Sequence, residues 1–200
     1  MSGIPSKIAL LALGGLLFTA CASVNRVDPN TVTDLSGNWN DTDSRLVAEQ
    51  MITDCASRPW LGDFKGSHGG AKPVVIIGTV KNRSSEHISV TTFTKDLERE
   101  MINNGSMKFV ANKAERSDVR DEREDQQANS SAETMKRMRN ETGADFMLIG
   151  NIDQTNDASG GTSAKFYQVN LELVNLESNE KVWIGTKEIK KVIKRGMFGG

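Results

Sequence analysis

The chain has 200 residues, with 26 acidic and 25 basic side chains, two cysteines and a formal net charge of −1. So nearly neutral a chain argues against a nucleic-acid binder held by phosphate contacts. Its length suits one domain of ordinary size that buries more than half its unfolded surface.

Lys7 is the only charge among the first twenty residues, and Ile8 to Phe18 is apolar except for Gly14 and Gly15. That stretch is too short for a bilayer, which needs ~20 apolar residues. It has the length of a signal-peptide core behind a basic n-region. Phe18-Thr19-Ala20-Cys21 resembles a lipobox, with Phe18 where leucine is usual. The expectation is therefore a signal peptide over residues 1–20 and a lipidated Cys21. The alternative is an ordinary secretory signal with an incidental cysteine. Several acyl chains on one cysteine anchor stably where a single chain binds only marginally. Ala22 after the cysteine looks like outer-membrane routing. Loss of the signal removes Lys7 and takes the formal charge from −1 to −2.

Residues 21–38 are polar, contain Pro29 and Gly37, and read as a flexible tether. Its 17 residues after Cys21 reach roughly 60 Å when extended. A globular domain is expected over residues 39–195, with 196–200 a flexible tail.

Asp41 or Asp43 is placed to cap a first helix through about Ala56, with Ala48, Met51, Ile52 and Cys55 on one face. Arg58-Pro59-Trp60 ends it, because the residue before proline avoids the α region. The glycine-rich stretch Gly62–Lys72 reads as a loop. Val74–Val80 is an apolar run of the kind found in a strand covered on both faces. Val90, Phe93, Leu97 and Met101 follow at helical spacing, and Asn104-Gly105 supplies the stop. Met107–Ala111 reads as a short strand. Lys113 to about Thr142 is strongly charged and reads as one or two helices, with a break near Asn129-Ser130-Ser131 and Gly143 as C-cap. Phe146–Ile152 is another apolar strand. A hairpin closes the chain. Tyr167, Val169, Leu171 and Leu173 alternate with polar residues, Glu177–Glu180 turns, and Val182, Ile184 and Thr186 form one face of the return strand. The fold class is α/β (α+β), a mixed β-sheet flanked by helices with a C-terminal antiparallel hairpin.

The usual marks of catalysis are missing from the sequence. Gly66–Gly70 is not followed by Gly-Lys-Ser/Thr, so it is no Walker loop. His68 and His87 are the only histidines and lack a partner at metal-ligand spacing. There is no Gly-x-Ser-x-Gly elbow. A hydrolase is left only the route in which His87 meets a serine and an acid from elsewhere. The acidic run Asp118–Asp125 is interleaved with arginines and reads as a solvated helix face. Lys187, Lys190, Lys191, Lys194 and Arg195 suit either an acidic partner or the guarding of an exposed edge strand. Cys55 reads as a small buried residue on a helix. The expectation is no enzyme, no cofactor and no metal, and a binding or regulatory role.

The segments Gly37–Leu46, Asp54–Leu61, Asn82–Ile88, Thr142–Leu148, Phe166–Leu173 and Asn179–Gly185, in that order, resemble the LpoB family. Members are outer-membrane lipoproteins that activate a bifunctional (class A) penicillin-binding protein. The resemblance covers about Gly37 to Lys194. Its later segments also recur in a wider superfamily that looks like the N-terminal domain of TolB and the core of the curli secretion lipoprotein. It implies a monomer anchored at the outer membrane, facing the periplasm, that docks on a regulatory domain of the peptidoglycan synthase. The better-known members have a long proline-rich tether, where this chain has a short one with a single proline. Residues of anchoring type in the matching segments are Trp39, Arg58, Trp60, Arg83, Glu86, His87 and Tyr167, each weighed against a plain packing role. The alternative function is a periplasmic component of a secretion or envelope assembly. Size in detergent would separate the two, since such an assembly is large.

Overall fold

A computed structural model describes residues 24–29, 31–131, 133 and 141–194. Cys21 and its lipobox, the tail from 195, and residues 134–140 lie outside the described residues. The chain divides into two units, residues 1–31 and 32–200. In the first, the Asp28 carbonyl accepts from the Thr31 N–H at 2.9 Å. The second is the folded domain.

Helix α1 spans Asp41–Ser57. Its N-cap is Asn40, not Asp41 or Asp43 as the sequence suggested. The Asn40 side chain accepts from the Asp43 N–H at 3.1 Å, and the Asp43 carboxylate accepts from the Asn40 N–H at 2.9 Å. This reciprocal capping box satisfies two of the free donors of the first turn. Pro59 breaks the helix and at once starts another, because its fixed φ and missing N–H suit a first helical position. Helix α2 therefore runs Pro59–Ser67 through what read as a loop.

Strand β1 (Val74–Asn82), helix α3 (Val90–Asn104) and the short strand β2 (Lys108–Phe109) follow. Gly105, at φ 70°, caps α3 in the left-handed conformation. Helix α4 covers Lys113–Asn129 and buries none of its residues. Strands β3 (Phe146–Ser159), β4 (Thr162–Asn175) and β5 (Lys181–Lys194) complete the fold. The five strands form one sheet in the order β2-β1-β3-β4-β5. β1 is parallel to β2 and β3, and β3, β4 and β5 are antiparallel.

β3 and β4 run well beyond the apolar segments that signalled them. Their polar ends pair without interruption to Ser159↔Thr162, around Gly160-Gly161 at φ 54° and 77°. Two successive positive φ values suit the twist of a tight hairpin and are cheap only for residues such as glycine.

α1 packs on α3 and β5, and α3 on β1 and β2. Val47, Ala48, Ile52 and Cys55 of α1, Phe93, Leu97 and Met101 of α3, and Val75, Leu148, Ile152, Tyr167, Val169, Leu171 and Leu173 of the sheet meet in the core. Fully burying an aliphatic side chain of this size contributes about 1.5–3 kcal/mol, so this layer supplies the main driving force. The face of β5 requires a correction. Val182, Ile184 and Thr186 do share a face, but Ile184 is 60 % exposed, and Trp183 and Gly185 point inward instead. A register shift between Leu173 and Val174 accompanies this arrangement.

Candidate functional site

Trp39, Glu86 and Tyr167 come together beyond the C-terminal end of β1. The loop after β1 is fixed first. The Arg83 N–H donates to the Ile152 carbonyl at 2.8 Å, and the Asn82 side-chain amide donates to the Glu86 carbonyl at 2.7 Å. This turns the Glu86 carboxylate over the sheet, with its side chain only 14 % exposed.

Four donors then converge on it. Oε2 accepts from the Trp39 N–H at 3.0 Å. Oε1 accepts from Gln154 Nε2 at 2.7 Å, Lys165 Nζ at 2.7 Å and the Tyr167 hydroxyl at 2.8 Å. Burial alone would raise the carboxyl pKa. The bonds from Lys165, Trp39, Tyr167 and Gln154 outweigh it and hold Glu86 at about 2. The Tyr167 hydroxyl is pushed above its ordinary range by burial and by its bond to Glu86. The Trp39 ring meets Tyr167 edge-on at 5.6 Å and Phe93 at 6.1 Å, and its indole N–H donates to Ser44 Oγ at 2.8 Å. These three side chains lock the chain entering α1 onto the sheet.

A second latch sits beside the first. Lys191 Nζ donates to Asp34 and Asp43 carboxylate oxygens, each at 2.6 Å, and to the Asn38 carbonyl at 3.0 Å. Burial works against the charge on Lys191, but Asp34 and Asp43 raise its pKa. Lys165 also donates to the Asn38 side chain, and Tyr167 to the Gly37 carbonyl at 3.3 Å. Asp34 to Asn38, read as part of the tether, are thus bonded to the domain. Gln154, Lys165 and Asp34 were not among the candidate residues; Asp43 was offered only as a helix cap, and Lys191, offered as part of an outward basic run, turns inward to Asp34 and Asp43 with its side chain 11 % exposed. The only sequence signal for the lysines is their parity with Tyr167 and Ile189 on their strands.

Arg58 and Trp60 stand apart, at the junction of α1 and α2. Trp60 is buried, edge-on to Phe146 at 5.1 Å, and donates to the Cys55 carbonyl at 2.8 Å. Arg58 pairs with Asp54, whose other oxygen accepts from the Trp183 indole at 2.9 Å. The Arg58 bond, foremost, holds Asp54 below the usual carboxylate range. The side chains of Arg83 and His87 are exposed. Cys55 is fully buried, and burial, reinforced by Asp54, pushes its thiol up to about 12. Among the described residues, no group of three or more His, Cys, Asp or Glu could hold a metal ion, and no helix is long and apolar enough to cross a membrane. The arrangement is one of fixed geometry: ion pairs and amides that pin an N-terminal segment and present exposed Arg83 and His87 beside it.

The chain matches, over residues 43–189, the family model described as peptidoglycan-synthase activator LpoB. Solved structures similar to it include the C-terminal domain of LpoB from Escherichia coli, at 19 % identity and TM-score 0.34, covering 66 % of this chain and 93 % of that one. An NMR structure of Escherichia coli LpoB has 13 % identity and TM-score 0.36, covering 94 % of each chain. The lipoprotein GNA1162 from Neisseria meningitidis has 13 % identity and TM-score 0.38, covering 60 % and 83 %. Likeness at these scores is too loose to carry weight, and no curated protein matches. The family model spans well over half of the sequence, from Asp43 in the first turn of α1 to Ile189 in β5, and the chain belongs to the LpoB family of peptidoglycan-synthase activators.

Proposed function

We propose that this protein is an outer-membrane lipoprotein, anchored through Cys21, that binds a class A penicillin-binding protein and raises its rate without catalysing a step itself. The family match over residues 43–189 carries this reading. The geometry is compatible with it. Glu86 fixes the base of a loop that holds Arg83 and His87 in solvent, and a fixed surface loses little side-chain and loop entropy on docking. An activator of this kind acts only through a difference in affinity. It must bind the active conformation of the synthase more tightly than the inactive one, by about 1–3 kcal/mol for a 5–150-fold coupling.

The anchoring of Asp34 and Asn38 shortens the reach. Only Ala22 to Thr33, 12 residues, then separate the lipid from the domain, which is roughly 40 Å when extended. The synthase must present its docking site within that distance plus the breadth of the folded domain from the outer membrane.

The test is a pull-down from envelope extract with the domain from Val32 onward as bait. Capture of a class A penicillin-binding protein supports the reading. Capture of other envelope proteins with no synthase would move the chain to a secretion or envelope assembly.

A further inference from the structure

The groove between α2 and the start of the sheet lies at the end opposite Glu86 and takes no part in the network there. Its volume is about 620 Å³, within the range of sites that hold a ligand group. Trp60, Phe64, Phe146 and Val182 give it an apolar floor. Phe146 meets Trp60 edge-on at 5.1 Å and Phe64 at 5.4 Å, so the aromatic rings are set by one another and not by an occupant. Two carboxylates, Asp63 and Glu180, also line it. Both are exposed, and neither makes an ion pair among the described residues. Of the basic groups beside it, Arg58 is engaged with Asp54 and Lys181 with Glu172, while His68 lines the groove and stacks on Phe64 at 3.9 Å.

We infer that this groove is a docking site for a protein segment that carries an arginine or lysine next to an apolar side chain. Two acidic groups over an aromatic floor match that chemistry. The guanidinium is planar and weakly hydrated, stacks on aromatic faces and bonds carboxylates through its fork. An apolar neighbour fills the floor, which an isolated cation would leave wet. An acidic segment is repelled by both carboxylates. A second copy of the chain, docking through the same groove, would set these carboxylates against each other. The inference does not depend on the partner being a synthase.

The experiment is a titration of the purified, isotope-labelled full chain in detergent with a short capped peptide of alternating arginine and leucine. The control peptide has glutamate in place of arginine. The Trp60 indole N–H signal reports occupancy. The basic peptide is expected to shift that signal saturably, and to bind more weakly as salt rises from about 50 to about 300 mM. The double variant Asp63→Asn, Glu180→Gln should bind about tenfold more weakly. Its exposed positions leave the fold intact, which an unchanged melting temperature verifies. The proposal is overturned if the Trp60 signal does not move, if the acidic peptide binds as well, or if the double variant keeps the affinity of the parent.

Discussion

Lys165 and Lys191 stand directly opposite each other in the register of β4 and β5, both on the core-facing side of the sheet. Like charges so placed oppose strand pairing. Here each is neutralised by a different acid, Lys165 by Glu86 and Lys191 by Asp34 and Asp43. Between them they hold Asn38 by its side chain and its carbonyl. The pair is the hinge pin of the domain's N-terminal segment, and several outcomes depend on it.

Replacing Glu86 with Gln removes the charge that four donors share and leaves Lys165 half-buried without a counterion. Breaking one partner of such a pair costs on the order of 3 kcal/mol. Urea unfolding at neutral pH should show that loss, and the melting temperature should fall by about 10 °C for a domain of this size.

The same substitution sets a pH dependence. The Glu86 carboxyl is depressed from its ordinary value of 4.5 to about 2 in the folded state. A depressed acid stabilises the fold fully above its unfolded pKa and loses that contribution as pH falls toward the folded value. The stability gap between the parent and Glu86→Gln should be constant above pH ~5 and close between pH ~4.5 and ~2. A gap that widens on acidification would contradict the assigned hydrogen bonds.

Lys191→Met should loosen Asp34 and Asn38, which keep their bonds to Asn40 and Lys165, and should take the counterion from the Asp43 carboxylate, whose side chain is 9 % exposed. Amide exchange at residues 34–38 should then accelerate, with a stability loss of about 2 kcal/mol. Asp34→Asn should cost less than about 1 kcal/mol, because the Asp34 side chain is 48 % exposed.

Gly150 sits in β3 where a β-carbon would fall 2.2 Å from the Asn170 carbonyl oxygen and 2.6 Å from the Leu171 side chain. The backbone of β4 cannot give way without breaking the ladder. Gly150→Ala should therefore destabilise by about 3 kcal/mol or more in thermal unfolding. The Cys55 thiol, buried and held at about 12, should resist alkylation at pH ~8 in the native protein and react only on unfolding, as read by mass spectrometry of its peptide.

Much of the core was legible because period and burial coincide. Tyr167, Val169, Leu171 and Leu173 alternate in sequence and are all buried, and Phe93, Leu97 and Met101 fall on the inner face of α3 as their spacing required. The helix from Pro59 was hidden by glycines at 62 and 66 that its packing tolerates. The outer half of β3 was hidden because polar residues fill both faces, and those of β4 and β5 because lysines break up Phe166, Ile189, Val192 and Ile193. The site was legible only in part. Trp39, Glu86 and Tyr167 were singled out and do meet, but Lys165, Gln154 and Lys191 join them from residues far apart in sequence. Arg58 and Trp60, grouped with them by type, belong to another place, where Asp54 and Phe146 hold them.

The most direct measurement is the initial rate of glycan polymerisation by a purified class A penicillin-binding protein, with increasing amounts of this protein added. The expected result is a several-fold, saturable rise that Glu86→Gln reduces at temperatures where that variant is still folded. A rate that stays flat when the protein is in saturating excess would contradict it.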